Sequence, residues 1–307
     1  MKRGLYWLGA IASLACLAFF GRALSGHWRS LAELDWDGDV GFAIAIALLL
    51  YLSTYLLSMA SWRYALRLFG ASAPMRSLAR ILLLSQIGKY LPGNLGHHVG
   101  RVVLARQAGL PGDIVIASML VDTALVLVAG AACSLPAAGL LAATVFDRVG
   151  NAGVPKWGPP ALAVAVLAVA VLVALAPVRR RLSGWVPKAV FRLSLPSIAG
   201  AMCCHALSFT AGGLALAVLG QALAVPTASF SLAEVLGVYA AAWVLGFVMP
   251  GSPAGLGVRE MVLLVGLGPM FGAGGAIVAA ALLRLVTTVG DGLAFAGGLA
   301  LPGARRQ

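Results

Sequence analysis

Charge is what this sequence has least of. Only 10% of its 307 residues are Asp, Glu, Lys or Arg, against roughly a quarter in a soluble domain. The polar stretches between its apolar runs are too short to hold a catalytic globule. Cysteine is scarce as well. Cys16, Cys133, Cys203 and Cys204 lie in or beside apolar segments, with no spacing of a disulfide framework or a metal site. They read as small packing residues. No GxxxxGK[ST] loop is present, which excludes that nucleotide cradle, and no HExxH or CxxC is present. His97 and His98 are adjacent, a poor spacing for holding one metal. No cofactor and no metal are expected. The short alternating segments of a transmembrane β-barrel are missing too.

What the chain has in abundance is apolar length. It is 61% hydrophobic, in runs long enough to span hydrocarbon. The expectation is an all-α, polytopic integral membrane protein, with 1–307 as a single transmembrane domain. Six full spans are expected at 5–22, 41–61, 113–133, 159–177, 197–219 and 275–299. Pro136 is expected to end the third, with 137–157 an amphipathic loop. The apolar run after Met1-Lys2-Arg3-Gly4 reads as an uncleaved signal anchor rather than a cleaved leader.

The net charge of +12 would suggest nucleic acid in a soluble protein. Here it reads as topology signal and contact with anionic lipid, and no nucleic-acid partner is expected. With the N-terminus cytoplasmic, that side receives Lys2, Arg3, Arg63, Arg67, Arg76, Arg80, Arg101, Arg106, Arg179, Arg180, Arg181, Lys188, Arg192, Arg305 and Arg306. The other side receives Arg22, Arg29, Arg148 and Lys156, while Lys89, Arg259 and Arg284 fall inside. This bias puts both termini in the cytoplasm of a cell with the protein in its inner membrane.

Two stretches interrupt the apolar pattern. In the first, 85–106, Gly88, Pro92, Gly93, Gly96 and Gly100 break any helix, and Lys89, His97, His98 and Arg101 bring in ionisable groups. The second, 233–268, contains Gly246, Pro250, Gly251, Gly255, Gly257, Arg259 and Glu260. Irregular backbone at membrane depth is tolerated where it is buried in protein or lines a water-filled cavity. Both therefore read as re-entrant elements. They also align. Gly88-x3-Pro92-Gly93-x7-Arg101 matches Gly246-x3-Pro250-Gly251-x7-Arg259 at identical spacing. The two halves of this repeat run about 41–133 and 197–300. Three spans separate the copies, so the second enters from the opposite face, an inverted-topology repeat. Such repeats place a transporter's site near the midplane.

The interior ionisable groups are Lys89, His97, Arg101, Asp122, Arg259, Glu260, Arg284 and Asp291. Each charge costs roughly 2.5–3.5 kcal/mol at the bilayer centre, so they face one another or water. A register-fixing ion-pair network is one reading, with Asp122 or Asp291 against Arg259 or Arg284. A binding site is the other. The excess of Lys89, Arg101, Arg259 and Arg284 over Asp122, Glu260 and Asp291 suits a phosphate-bearing guest. Gly88, Pro92, Gly93, Gly246, Pro250 and Gly251 are the expected gate. His205, beside Cys203 and Cys204, reads as a hydrogen-bonded interior histidine.

Gly88-Lys89-Tyr90-Leu91-Pro92-Gly93 followed by Gly100-Arg101 resembles the first signature of the lysylphosphatidylglycerol synthase transmembrane-region family. Residues 250–260, with Leu283-Arg284 and Gly290-Asp291 beyond them, resemble the second. The family includes the flippase half of multiple peptide resistance factor. The resemblance implies movement of a polar-headed lipid between leaflets, with a membrane phospholipid or glycolipid as partner. The cargo is left open among an aminoacylated phospholipid, a glycolipid, a hopanoid and a polyprenyl-phosphate carrier. The 307 residues hold no counterpart of the soluble synthase domain, so the family's name is not expected to describe an enzymatic activity.

Two other functions stay open at this point. One is an accessory protein that binds lipid-synthesis enzymes and transports nothing. The other is an intramembrane lipid-modifying enzyme using His97, His98 or Asp122. The oligomeric state is not legible.

Overall fold

Backbone N–H and C=O groups in hydrocarbon have no water to bond, and a helix satisfies them internally. The computed structural model describes residues 18, 21, 22, 25, 38–90, 96–149, 194–223, 231–249 and 252–302. Among these residues every regular element is helical and there is no strand. The protein is an all-α membrane protein. The helices are α1 Gly38–Arg67, α2 Met75–Ser85, α3 Gly96–Gln107, α4 Gly112–Val149, α5 Leu195–Leu223, α6 Leu232–Val248 and α7 Val258–Ala300. Tight 3-10 turns occupy Gln86–Tyr90 and Pro253–Gly255. Most of the expected span 5–22 and all of 159–177 lie outside the described residues.

Among the described residues, four helices are long and apolar enough to cross a bilayer: α1, α4 over Gly112–Thr144, α5 and α7. At 43 residues, α7 would run about 65 Å as one rod, twice the hydrocarbon thickness. It does not. Gly272, at φ 69° and ψ 169°, breaks it, a conformation that only glycine adopts freely. The arm 258–271 therefore belongs to the second broken stretch, and 273–300 is the last span.

One expectation is corrected. Pro136 does not end the third span, because α4 continues to Val149 and the region expected as a loop over 137–149 is helix. Pro136 lacks the N–H that would reach the Ala132 carbonyl. One turn earlier the Ser134 hydroxyl donates to the Ala131 carbonyl at 2.7 Å. Just beyond, Ala137 lies flush against Gly237 of α6, where an added Cβ would stand 2.8 Å from the Ala137 Cβ. The Ser134 hydroxyl does not reach the freed Ala132 carbonyl; packing against a neighbouring helix is what supports the proline-containing helix here.

The helices of the first broken stretch are short. The 11 residues of α2 and 12 of α3 reach about 16 and 18 Å. They run antiparallel: Gly88 lies on Gly96 and His97, and Ser85 on Gly100. The chain thus turns back on itself, and the first stretch is a helical hairpin. The second has the same build. Gly246 lies on Arg259 and Val238 on Gly266, so α6 and 258–271 are antiparallel as well.

The register between α4 and α6 orders the two hairpins. Gly130 meets Val244, and Ala137 meets Gly237. Helix α6 runs antiparallel to α4 and starts beside its C-terminal half. It approaches the middle from the end where α4 finishes, whereas α3 leaves the middle toward the end where α4 begins. The two 3-10 turns touch at the centre. The core lies where α5, α6 and α7 meet, around the fully buried Leu216, Leu219, Val235, Val238 and Leu267. In lipid this fit is held by dispersion and close approach rather than by exclusion of water.

Candidate functional site

The hairpin tips leave a cavity of about 220 Å³ between them and the surrounding helices. Lys89, His97, Arg101, Asp122, Arg259, Glu260 and Arg284 all line it. These residues come from α3, α4, α7 and the first 3-10 turn, and they span nearly 200 positions of sequence. Asp291 is absent from the wall and only 2% exposed.

Asp291 lies behind the wall as an acceptor. Its carboxylate receives the Lys89 ammonium at 2.7 Å, the Tyr51 hydroxyl at 2.6 Å, the Tyr90 hydroxyl at 2.5 Å and the Tyr55 hydroxyl. Tyr51 and Tyr55 are one turn apart on α1, so both hydroxyls reach one face. The cluster ties α1, the first hairpin and the last span together.

A second pair closes the other hairpin. Glu260 accepts the Gly257 backbone N–H at 2.8 Å, which caps the start of 258–271. Its other oxygen lies 3.6 Å from the Arg284 guanidinium. The pairing expected for Asp122 and Asp291 with Arg259 or Arg284 does not occur. Arg284 takes Glu260, and Asp291 takes Lys89.

Asp122 takes a different partner. It accepts from the Ser61 hydroxyl at 2.5 Å and faces His205 Nε2 at 3.0 Å. Ser61 also lies 2.7 Å from that same Nε2. A serine–histidine–aspartate relay uses the two opposite ring nitrogens. Here both neighbours meet one nitrogen, so the cluster joins α1, α4 and α5 without relay geometry. His205 is indeed a hydrogen-bonded interior histidine. Ser61, Tyr51 and Tyr55 were not expected at the site. Their signal was hydroxyls inside an apolar run, weak because such hydroxyls commonly bond their own helix.

Arg101 and Arg259 stand apart. Arg101 is 7% exposed, which corrects its placement among the cytoplasmic-edge residues. Its guanidinium lies 5.1 Å from the Trp62 ring centre, and that of Arg259 lies 5.5 Å from Trp243. Among the described residues neither has a carboxylate within 4.0 Å, and the Nε of each is buried without a hydrogen-bond partner. The Arg259 side chain crosses Gly246 and Gly255, where an added Cβ would come within 2.5 and 2.7 Å of it. Of the expected gate, Gly88 and Gly246 form these close contacts. Pro92, Gly93, Pro250 and Gly251 lie outside the described residues. No three His, Cys, Asp or Glu side chains gather as a metal site among the described residues.

The sequence model of the family described as lysylphosphatidylglycerol synthase TM region matches residues 6–294. No curated protein matches the chain.

Proposed function

The chain belongs to the lysylphosphatidylglycerol synthase TM region family, and from that premise we propose that it is a lipid translocase. It moves a polar-headed, phosphate-bearing lipid between the leaflets of the inner membrane. The head group passes through the cavity between the two hairpins while the acyl chains stay in the bilayer. Arg101, Arg259 and Arg284 hold phosphate. Asp122, Glu260 and Asp291 balance those arginines and Lys89. Arg101 and Arg259 carry this reading: two buried guanidinium groups face the cavity with no carboxylate of their own.

The halves 41–133 and 197–300 act as an inverted repeat. Supporting this, each half runs long helix, helix, 3-10 turn, helix, long helix, and the hairpins approach the centre from opposite ends of α4. The positive residues Arg63, Arg67, Arg76 and Arg80 cluster around the end where α1 finishes and α2 begins, which supports a reading with that end and both termini in the cytoplasm. No nucleotide loop is present in the sequence, so the drive is an ion gradient, a coupled reaction or the lipid gradient itself.

The test is reconstitution in liposomes with labelled phosphatidylglycerol, aminoacylated phospholipid, glycolipid and polyprenyl phosphate, read with an impermeant quencher. Wild type is expected to expose at least one of them to the quencher, and Arg259→Ala to lose most of that rate. Equal rates for wild type and Arg259→Ala with every lipid would sink the proposal.

A further inference from the structure

Resting on the reading of the cavity as a head-group path, we infer that it contains two separate stations for a phosphate-type oxyanion. One is Arg101 with His97 on the first hairpin, and the other is Arg259 on the second.

Four cations line the cavity, and they are not equivalent. Lys89 is taken by Asp291 at 2.7 Å and Arg284 by Glu260 at 3.6 Å. The guanidinium groups of Arg101 and Arg259 lie over indole rings, and among the described residues neither has a carboxylate within 4.0 Å. A desolvated cation–π contact contributes about 2 kcal/mol, less than the several kcal/mol per ion that burial costs. It also leaves the N–H fork unused, and a planar fork is matched by the oxygens of a phosphate. Arg101 is 7% exposed and His97 8%. Nε of both arginines and Nδ1 of His97 are buried without partners. His97 and Arg101 are four residues apart on α3 and share a face. Three orphaned nitrogens at one cavity are completed by an acceptor that enters from outside the chain.

The two arginines occupy different surroundings. Asp122 is the charge that acts on Arg101. Arg259 lies in the field of Tyr239, Arg284, Tyr51 and Glu260, with its side chain against Gly246 and Gly255 of the second hairpin. The hairpins approach from opposite ends, so a phosphate leaving one station meets the other on the way across. A single pooled site, or a diphosphate held by both arginines at once, would need the two within each other's field.

The experiment counts bound dihexanoyl-phosphatidylglycerol on the detergent-solubilised full chain by native mass spectrometry. Wild type is expected to hold two, Arg101→Gln and Arg259→Gln one each, and the double variant none. Loss of both lipids in either single variant, or retention of two in the double, overturns the inference. Because glutamine at a buried position endangers folding, Arg101→Lys and Arg259→Lys are measured beside them. Each keeps the charge and loses the fork. Each is expected to weaken its own station about tenfold and leave the other unchanged; equal weakening at both stations again overturns it. A parallel arm uses inorganic phosphate alone. If phosphate fills both stations as well as the lipid does, and the liposome assay shows no lipid movement, the stations stand and the translocase reading falls.

Discussion

The Lys89 ammonium lies 2.7 Å from the Asp291 carboxylate, joining the tip of the first hairpin to the last span across 202 positions of sequence. Three tyrosine hydroxyls share that carboxylate. The hairpin is therefore clasped at its tip as well as along α2, where Leu82 packs with Ala294 and the Arg80 Nε donates to the Leu301 carbonyl at 3.1 Å; the clasp at the tip sits directly behind the cavity wall.

Removing one side of the clasp leaves the other charge buried. Asp291→Ala is expected to lower stability by about 3 kcal/mol, within the usual cost of orphaning a buried partner. Lys89→Met with Asp291→Leu is expected to recover most of it. Thermal unfolding in detergent reads this. A double-variant loss equal to the sum of the separate Lys89→Met and Asp291→Leu losses would show that the two residues are not coupled.

Gly88 tests the fold of the first hairpin. An added Cβ would lie 2.5 Å from the Gly96 carbonyl carbon and 2.6 Å from the His97 nitrogen. Backbone does not move aside as a side chain does. Gly88→Ala is expected to destabilise by about 1–3 kcal/mol or more. Gly100→Ala meets only the Ser85 Cβ at 3.5 Å and is expected to be close to neutral. The comparison is of melting temperatures, and the two variants behaving alike would refute the packing described.

Gly246 and Gly255 carry the Arg259 side chain across them. Gly255 also sits at φ 72°, where a Cβ adds roughly 1–2 kcal/mol of strain. Alanine at either position is expected to displace the guanidinium and cut lipid movement at least tenfold. Gly292→Ala, with nothing within 4 Å, serves as control and is expected to keep wild-type activity. Full activity in Gly246→Ala would separate the arginine's position from the function.

Cavity residues and lipid-facing residues differ in access to water. In a background without cysteine, Ser58→Cys and Thr123→Cys line the cavity and are expected to react with a charged thiol reagent. Leu49→Cys and Leu56→Cys point outward and are expected to react far more slowly in a bilayer. Mass shift after labelling reads it, and uniform rates would show a dry cavity.

Much of this was legible locally. Gly88 with Pro92-Gly93 and Gly246 with Pro250-Gly251 announced broken helices because proline and glycine clustered in an apolar run interrupt the helix. Lys89, Arg101, Arg259 and Arg284 announced a shared interior because charge facing hydrocarbon is too costly. The Pro136 expectation failed because proline's effect was read from the chain alone, whereas the Gly237 contact from α6 supports α4 just beyond it. Ser61 and the tyrosines escaped notice because a hydroxyl on an apolar helix looks the same whether it bonds its own turn or a carboxylate from a distant helix.

Hydropathy, glycine spacing and scarce charge are properties of neighbouring residues, and by themselves they determined a helical membrane protein with two interrupted stretches and a polar interior. Which charge meets which was decided only by the tertiary structure. The register between helices far apart in sequence, set by contacts such as Gly130 with Val244 and Ser85 with Gly100, gave Lys89 to Asp291, Arg284 to Glu260 and His205 to Asp122. That same register left Arg101 and Arg259 facing the cavity against indole rings, because no carboxylate of the described residues falls within 4.0 Å of them once the helices are closely fitted.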